Sequence, residues 1–99
     1  MLTFELNAYA NQEFTTTIGE NLYRIRLISF NGFTLADIWK NGTSIVRGAK
    51  CLPNKPIIPY PYMDSDGFFQ FDCLNNDYPT YKQFDRTQNL RYYSWSEKG

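Results

Sequence analysis

The sequence contains no histidine and only two cysteines. Without His, general acid–base work at neutral pH falls to paired carboxylates in a pocket, and a cysteine nucleophile lacks its imidazole partner. Asp64, Asp66, Asp72 and Asp77 stand close together in the chain but fall in turns or on strand surfaces, where a solvated role is expected. Cys51 and Cys73 form no Cys-x-x-Cys pair, and no His completes a zinc ligand set. With no secretion signal ahead of them, reduced and buried thiols are the expectation. Asp64-Ser65-Asp66-Gly67 echoes the start of a calcium loop, yet it lacks the sixth-position Gly and the terminal Glu. The six glycines are scattered through turns, so no phosphate-cradling loop exists. The residues therefore supply no catalytic, cofactor or metal site, and the chain reads as a non-enzyme.

Surplus charge is missing too. Ten basic and ten acidic residues cancel, and no Lys/Arg cluster stands out. That argues against a surface that tracks phosphates. No apolar run approaches a membrane span, and residues 1–10 alternate instead of forming a signal-peptide core. Synthesis in the cytosol is the default expectation. No helical period of useful length occurs, and the 99 residues suffice for one domain, 1–99, with a single core.

What the chain has is aromatic side chains and turns. Eight Tyr, eight Phe and two Trp make 18% of the residues, a bias towards strands. Asn31-Gly32 and Asn41-Gly42 lie ten residues apart between alternating apolar and polar runs. Asn-Gly is the preferred filling of a two-residue type I′ hairpin, because both central positions need φ > 0. Two such turns, one strand apart, predict a central three-strand antiparallel meander. The same turn accounts for Asn41-Gly42-Thr43, which also matches a glycosylation sequon.

Around the meander the alternation predicts a first strand over Leu2, Phe4 and Leu6, and a second over Phe14, Thr16 and Ile18. A three-residue loop, Gly19-Glu20-Asn21, should lead into a third strand, Leu22 to Phe30. Tyr23, Ile25 and Leu27 share one of its faces. In the fourth strand, Phe33 to Lys40, Phe33, Leu35 and Trp39 share a face with Asp37. An unpaired buried carboxylate is costly, so Asp37 is expected on an exposed face, paired with Arg24 or Arg26 across the hairpin. Thr43 to Arg47 forms a short fifth strand ending at Gly48. Pro53, Pro56, Pro59 and Pro61 exclude helix and central strand from Cys51 to Met63; a crossing loop or edge whose Ile and Tyr side chains close the core is expected. Phe68 to Leu74 and Leu90 to Trp95 complete the strands, separated by a polar excursion from Asn75 to Asn89. The fold class is all-β, a compact antiparallel barrel or sandwich of six to seven short strands; hairpins alone leave the two open.

The order of these features resembles the small baseplate plug proteins of contractile-tailed bacteriophages and prophages. The likeness runs over nearly the whole chain. It rests on Asn11-Gln12-Glu13-Phe14 after the opening strand, the Gly hairpin and the two long strands of the meander. It continues through Asn41-Gly42 and Gly48, the loop Cys51-Leu52-Pro53-Asn54-Lys55-Pro56-Ile57-Ile58 and the strand Gly67-Phe68-Phe69-Gln70-Phe71-Asp72. Asp77-Tyr78-Pro79-Thr80-Tyr81 and the closing Leu90-Arg91-Tyr92-Tyr93 finish it. One position departs from the pattern: Asp85, after Phe84, stands where a Gly is expected. The resemblance implies a non-enzymatic virion component of the tail baseplate, near its axis. Its implied partners are other baseplate or tail proteins such as tube, hub or spike, with no cofactor and no membrane.

Trp39, Tyr60, Tyr62, Tyr93 and Trp95 are the interface candidates, large amphipathic side chains of the kind that anchor protein contacts. Each could equally fill the core. The alternative function is a small β-barrel binding module, either for another protein or for single-stranded nucleic acid through Arg24, Arg26 and Trp39; net neutrality counts against nucleic acid. Self-association is left open.

Overall fold

The computed structural model describes residues 1–57 and 67–94. Among these residues it contains seven strands: β1 (Leu2–Phe4), β2 (Asn11–Ile18), β3 (Asn21–Phe30), β4 (Phe33–Lys40), β5 (Thr43–Lys50), β6 (Gly67–Cys73) and β7 (Gln88–Ser94), with one 3-10 turn at Tyr81–Gln83. They form two antiparallel sheets, β2-β3-β4-β5 and β1-β7-β6. The sheets pack face to face as a sandwich, which resolves the alternative the hairpins left open.

The expected meander is there. Asn31 and Gly32 have φ of 51° and 80°, and Asn41 and Gly42 of 53° and 83°, the two positive values a type I′ turn requires. The hairpin before them is tighter than its sequence suggested. Ile18 pairs directly with Asn21, so the loop is the two residues Gly19-Glu20, and only Gly19 has positive φ. That is the type II′ pattern, with Gly at the first central position.

β2 also starts earlier than expected, at Asn11. The Gln12 side chain explains this: its amide donates to the Asn7 and Tyr9 carbonyls at 2.7 and 3.2 Å and its oxygen accepts the Asn7 N–H at 3.1 Å. The preceding loop is closed locally, and the strand can begin beside it.

The inner faces follow the alternation. Tyr23, Ile25, Leu27, Ala36 and Ile38 of one sheet meet Phe69, Phe71, Leu90 and Tyr92 of the other. Tyr23 lies edge-on to Phe69 at 5.2 Å between ring centroids, and Phe4 bridges Phe14 and Phe69 at 5.8 and 5.7 Å. Gly67 sits where any Cβ would overlap the Tyr92 hydroxyl and the Tyr93 carbonyl oxygen. The proline-rich stretch behaves as an irregular edge as far as it is described: Asn54 N–H and Ile57 N–H donate to the Phe71 and Phe69 carbonyls, both at 2.8 Å. Pro53 and Pro56, which have no N–H to give, each sit directly before one of these donors, and Ile57 enters the core.

The polar excursion is held by two buried side chains. Gln88 accepts from Thr80 N–H at 2.8 Å and donates to the Tyr78 carbonyl at 2.9 Å, while Thr34 Oγ1 donates to the Pro79 carbonyl at 2.8 Å. Asp85 occupies the left-handed region at φ 61°, the conformation for which Gly is the usual choice. Its carboxylate accepts the Leu6 N–H at 2.7 Å, a bond glycine could not make.

Cys51 and Cys73 are free thiols, both buried. Burial pushes the Cys73 thiol up to about 11, helped by the charge of Asp77, and raises Cys51 still further. Neither carries thiolate character at neutral pH. Among the described residues no helix is long and apolar enough to cross a membrane.

Candidate protein interface

Two of the five interface candidates fall within the described residues, and the sandwich separates them. Trp39 lies on the outer face of β2-β3-β4-β5, while Tyr93 lies on the outer face of β1-β7-β6. Tyr60, Tyr62 and Trp95 lie outside the described residues, as does most of the Asp64–Gly67 turn.

The face that carries Trp39 is built by register. Phe30 pairs with Phe33, Ile28 with Leu35, Arg26 with Asp37 and Arg24 with Trp39, and directly paired residues share a face. The result is an apolar row interrupted at its centre by charge. Leu22 and Phe30, near its two ends, are 50% and 59% exposed. Ile28, Phe33, Leu35 and Trp39 between them are half-buried.

The central charges are all paired. Arg26 donates from Nε and Nη2 to one Asp37 oxygen at 3.1 and 2.6 Å, and the Gly48 N–H donates to the other at 2.6 Å. Asp37 is only 6% exposed. Burial by itself would raise its pKa, but the Gly48 and Arg26 hydrogen bonds and the charges of Arg26 and Arg47 outweigh it and hold the carboxyl below its ordinary value. Arg24 pairs with Glu13 at 3.0 Å and lays its guanidinium 4.7 Å from the Trp39 ring centroid; that of Arg26 lies at 5.8 Å. Both cations that flank Trp39 are thus committed to carboxylates, which weakens the nucleic-acid alternative for this patch. Both guanidiniums lie within cation–π range of the indole, each exposed contact being worth roughly 0.5–1 kcal/mol.

Two hollows open beside these residues. One is lined by Thr15, Leu22, Arg24, Trp39 and Gly42, the other by Asn11, Gln12, Glu13, Arg26 and Ile28. At the far end of the row Lys50 Nζ sits 3.7 Å from the Phe33 ring centroid and 4.9 Å from that of Tyr78. The sequence reading singled out neither Phe30 nor Tyr78. The signal for Phe30 was present: it directly precedes a two-residue turn and shares the parity of Arg24 and Arg26.

Tyr93 has a different setting. It stacks on Phe68 at 5.5 Å, and its hydroxyl donates to Asp72. The same carboxylate accepts from Arg91 at 2.9 Å and from Gln70 at 2.6 Å. Burial and the Asp72 hydrogen bond raise the phenol's pKa. Tyr93 is therefore tied into a network of its own sheet. Among the described residues, no group of three or more His, Cys, Asp or Glu gathers to hold a metal ion.

Over residues 1–96 the chain matches the family described as the cyanophage baseplate plug, Pam3 gp18. The chain belongs to this phage baseplate plug family, a structural component of the virion tail that associates with other tail or baseplate proteins. No curated protein matches it.

Proposed function

We propose that this protein acts as a plug or adaptor near the tail axis, without catalysis, and docks on a tube, hub or spike protein through the outer face of the four-stranded sheet. One observation carries the reading: the continuous row from Leu22 to Phe30 on β3 and from Phe33 to Trp39 on β4. It sets large apolar groups at both ends of a self-neutralised centre. An interface core favours aromatic residues and arginine and disfavours unpaired charge. Arg24 and Arg26 arrive at such a contact with their carboxylates in place, so little charge needs a new partner when water leaves. Trp39, within cation–π range of both, is the anchor of this face; Tyr60, Tyr62, Tyr93 and Trp95 remain interface candidates from their residue type alone.

The test is assembly. Tails purified from cells producing Phe30→Asp or Trp39→Ala protein are expected to carry it at least tenfold less than wild type by quantitative mass spectrometry, while each purified variant keeps its strand circular-dichroism spectrum. Undiminished incorporation of both variants removes this face from the proposal. Absence of the wild-type protein from tails removes the plug role itself.

A further inference from the structure

The four-stranded sheet has two edges. In β5 the ladder is irregular: Arg47 and Gly48 together oppose Asp37, and Ile45 is a second extra residue between the pairs of Ile38 and Trp39. Bulges and cationic side chains (here also Lys50) are the common means by which an edge is made unfit for another strand. In the other sheet the outer side of β6 is occupied by residues 53–57, and β1 is only three residues long.

β2 has none of these protections. Its eight residues pair with β3 without a register break, and they include no Pro, Lys or Arg. Backbone direction follows from the hairpin. Ile18 and Asn21 close a two-residue loop, and Ser29 N–H donates to the Ala10 carbonyl at 2.9 Å at the other end. Hydrogen bonding alternates along an antiparallel ladder, so the even residues from Ala10 to Ile18 face β3. The N–H and C=O groups of Asn11, Glu13, Thr15 and Thr17 point away from the sheet, and these four residues are all exposed.

We propose that β2 is a strand-addition edge at which two copies of this chain pair antiparallel about a two-fold axis at Thr15, giving one continuous eight-stranded sheet. The occupant is argued from charge and register. Glu13 is the strand's only charged residue. An axis at Glu13 sets two carboxylates directly opposite, and an axis at Phe14 sets them diagonally. With the axis at Thr15, Glu13 faces Thr17 of the second copy, and the two carboxylates are offset by four residues, about 14 Å, beyond the roughly 10 Å screening length at moderate salt. Thr15 then faces its own counterpart, a favourable cross-strand pair. On the inner face, Phe14 faces Thr16 of the second copy and lies diagonal to its Phe14, within reach of an aromatic ring. Phe14 and the Phe4 ring packed on it are only partly buried in one copy, so the seam covers apolar surface that the single sandwich leaves open.

Thr15→Cys and sedimentation of the wild-type protein test this directly. A hydrogen-bonded antiparallel pair holds its Cα atoms at about 5.5 Å, within disulfide range, and the native cysteines are buried. Thr15→Cys is expected to cross-link on mild oxidation. Asn11→Cys, four residues from the axis, is not. Wild-type protein should sediment as a monomer–dimer equilibrium. Thr15→Pro loses only an outward N–H and should weaken that equilibrium at least tenfold at unchanged circular dichroism; Thr15→Lys, which sets two cations face to face, should do the same if the proline variant fails to fold. A protein monomeric up to roughly 1 mM, a dimer indifferent to both substitutions, or equal cross-linking at positions 11 and 15 overturns the proposal.

Discussion

β2 and β5 border the same sheet and have opposite characters. β5 spends two extra residues on bulges, and a buried carboxylate from its neighbour reaches across to hold one of them: Asp37 fixes the Gly48 N–H, with Arg26 fixing Asp37 from the other side. β2 runs straight, with threonines along its rim. An edge can be closed by geometry or left open by regularity. The difference turns on one carboxylate and one left-handed glycine.

On the closed edge the largest effect should come from removing what holds the bulge. Asp37→Ala leaves a backbone donor and a guanidinium without their acceptor; because Arg26 is partly exposed and can hydrate, the expected cost is about 2–3 kcal/mol, below that of a fully buried pair. Urea denaturation measures it. Acid probes the same group. The folded pKa of Asp37 lies below its unfolded value of about 3.9, so its contribution is complete above that value and is lost as pH falls through the folded pKa. The urea midpoint of wild type should therefore drop more on acidification than that of Asp37→Asn; parallel curves would remove Asp37 as the source.

Gly48→Ala comes next. Its φ of +65° is costly for any L side chain, although open space surrounds the Cβ position. About 1–2 kcal/mol of destabilisation is expected, against no more than a few tenths for Asp85→Gly, where relief of a left-handed Asp offsets loss of the Leu6 bond. Thermal melts of the two variants make the contrast visible. On the open edge the contrast lies between neighbours: Thr15→Pro should cost the monomer under about 1 kcal/mol, whereas Thr16→Pro, which removes a donor to β3, should cost roughly 3 kcal/mol. Equal losses would mean that the alternation assigned to β2 is wrong.

Much of this sheet was legible in the sequence because it is local. The Asn-Gly turns fix φ signs within two residues, and turn position plus alternation narrows the partner of Asp37 to Arg24 or Arg26. It is Arg26, and with that pairing the carboxylate is buried where an exposed one was expected. Trp39 was legible as an outer-face residue for the same reason. The bulge was not. Gly48 read as a strand terminus, and only the reach of Asp37 from β4 shows that the chain continues through it to Lys50. Asp85 was a departure from the family pattern without a visible cause; its cause is the Leu6 N–H, 79 residues away in sequence. The separation of Trp39 from Tyr93 was equally hidden, since strand alternation gives each residue a face of its own sheet but not which sheets pair. Family membership, by contrast, was carried by the order of turns and strands across the whole chain.

The pairing of β1 with β7 also governs the order of folding during synthesis. Thr3 and Arg91 are bonded across 88 positions. The meander, whose pairings all span short sequence distances, can close while the chain is still being translated. The other sheet must wait for residues 88–94, because both β6 and β1 take β7 as their neighbour. Until residues 88–94 emerge, Tyr23, Ile25 and Leu27 face solvent, and the nascent protein is a half-sandwich with its greasy side uncovered. Completion is then limited by the slowest class of contact, the long-range strand pair.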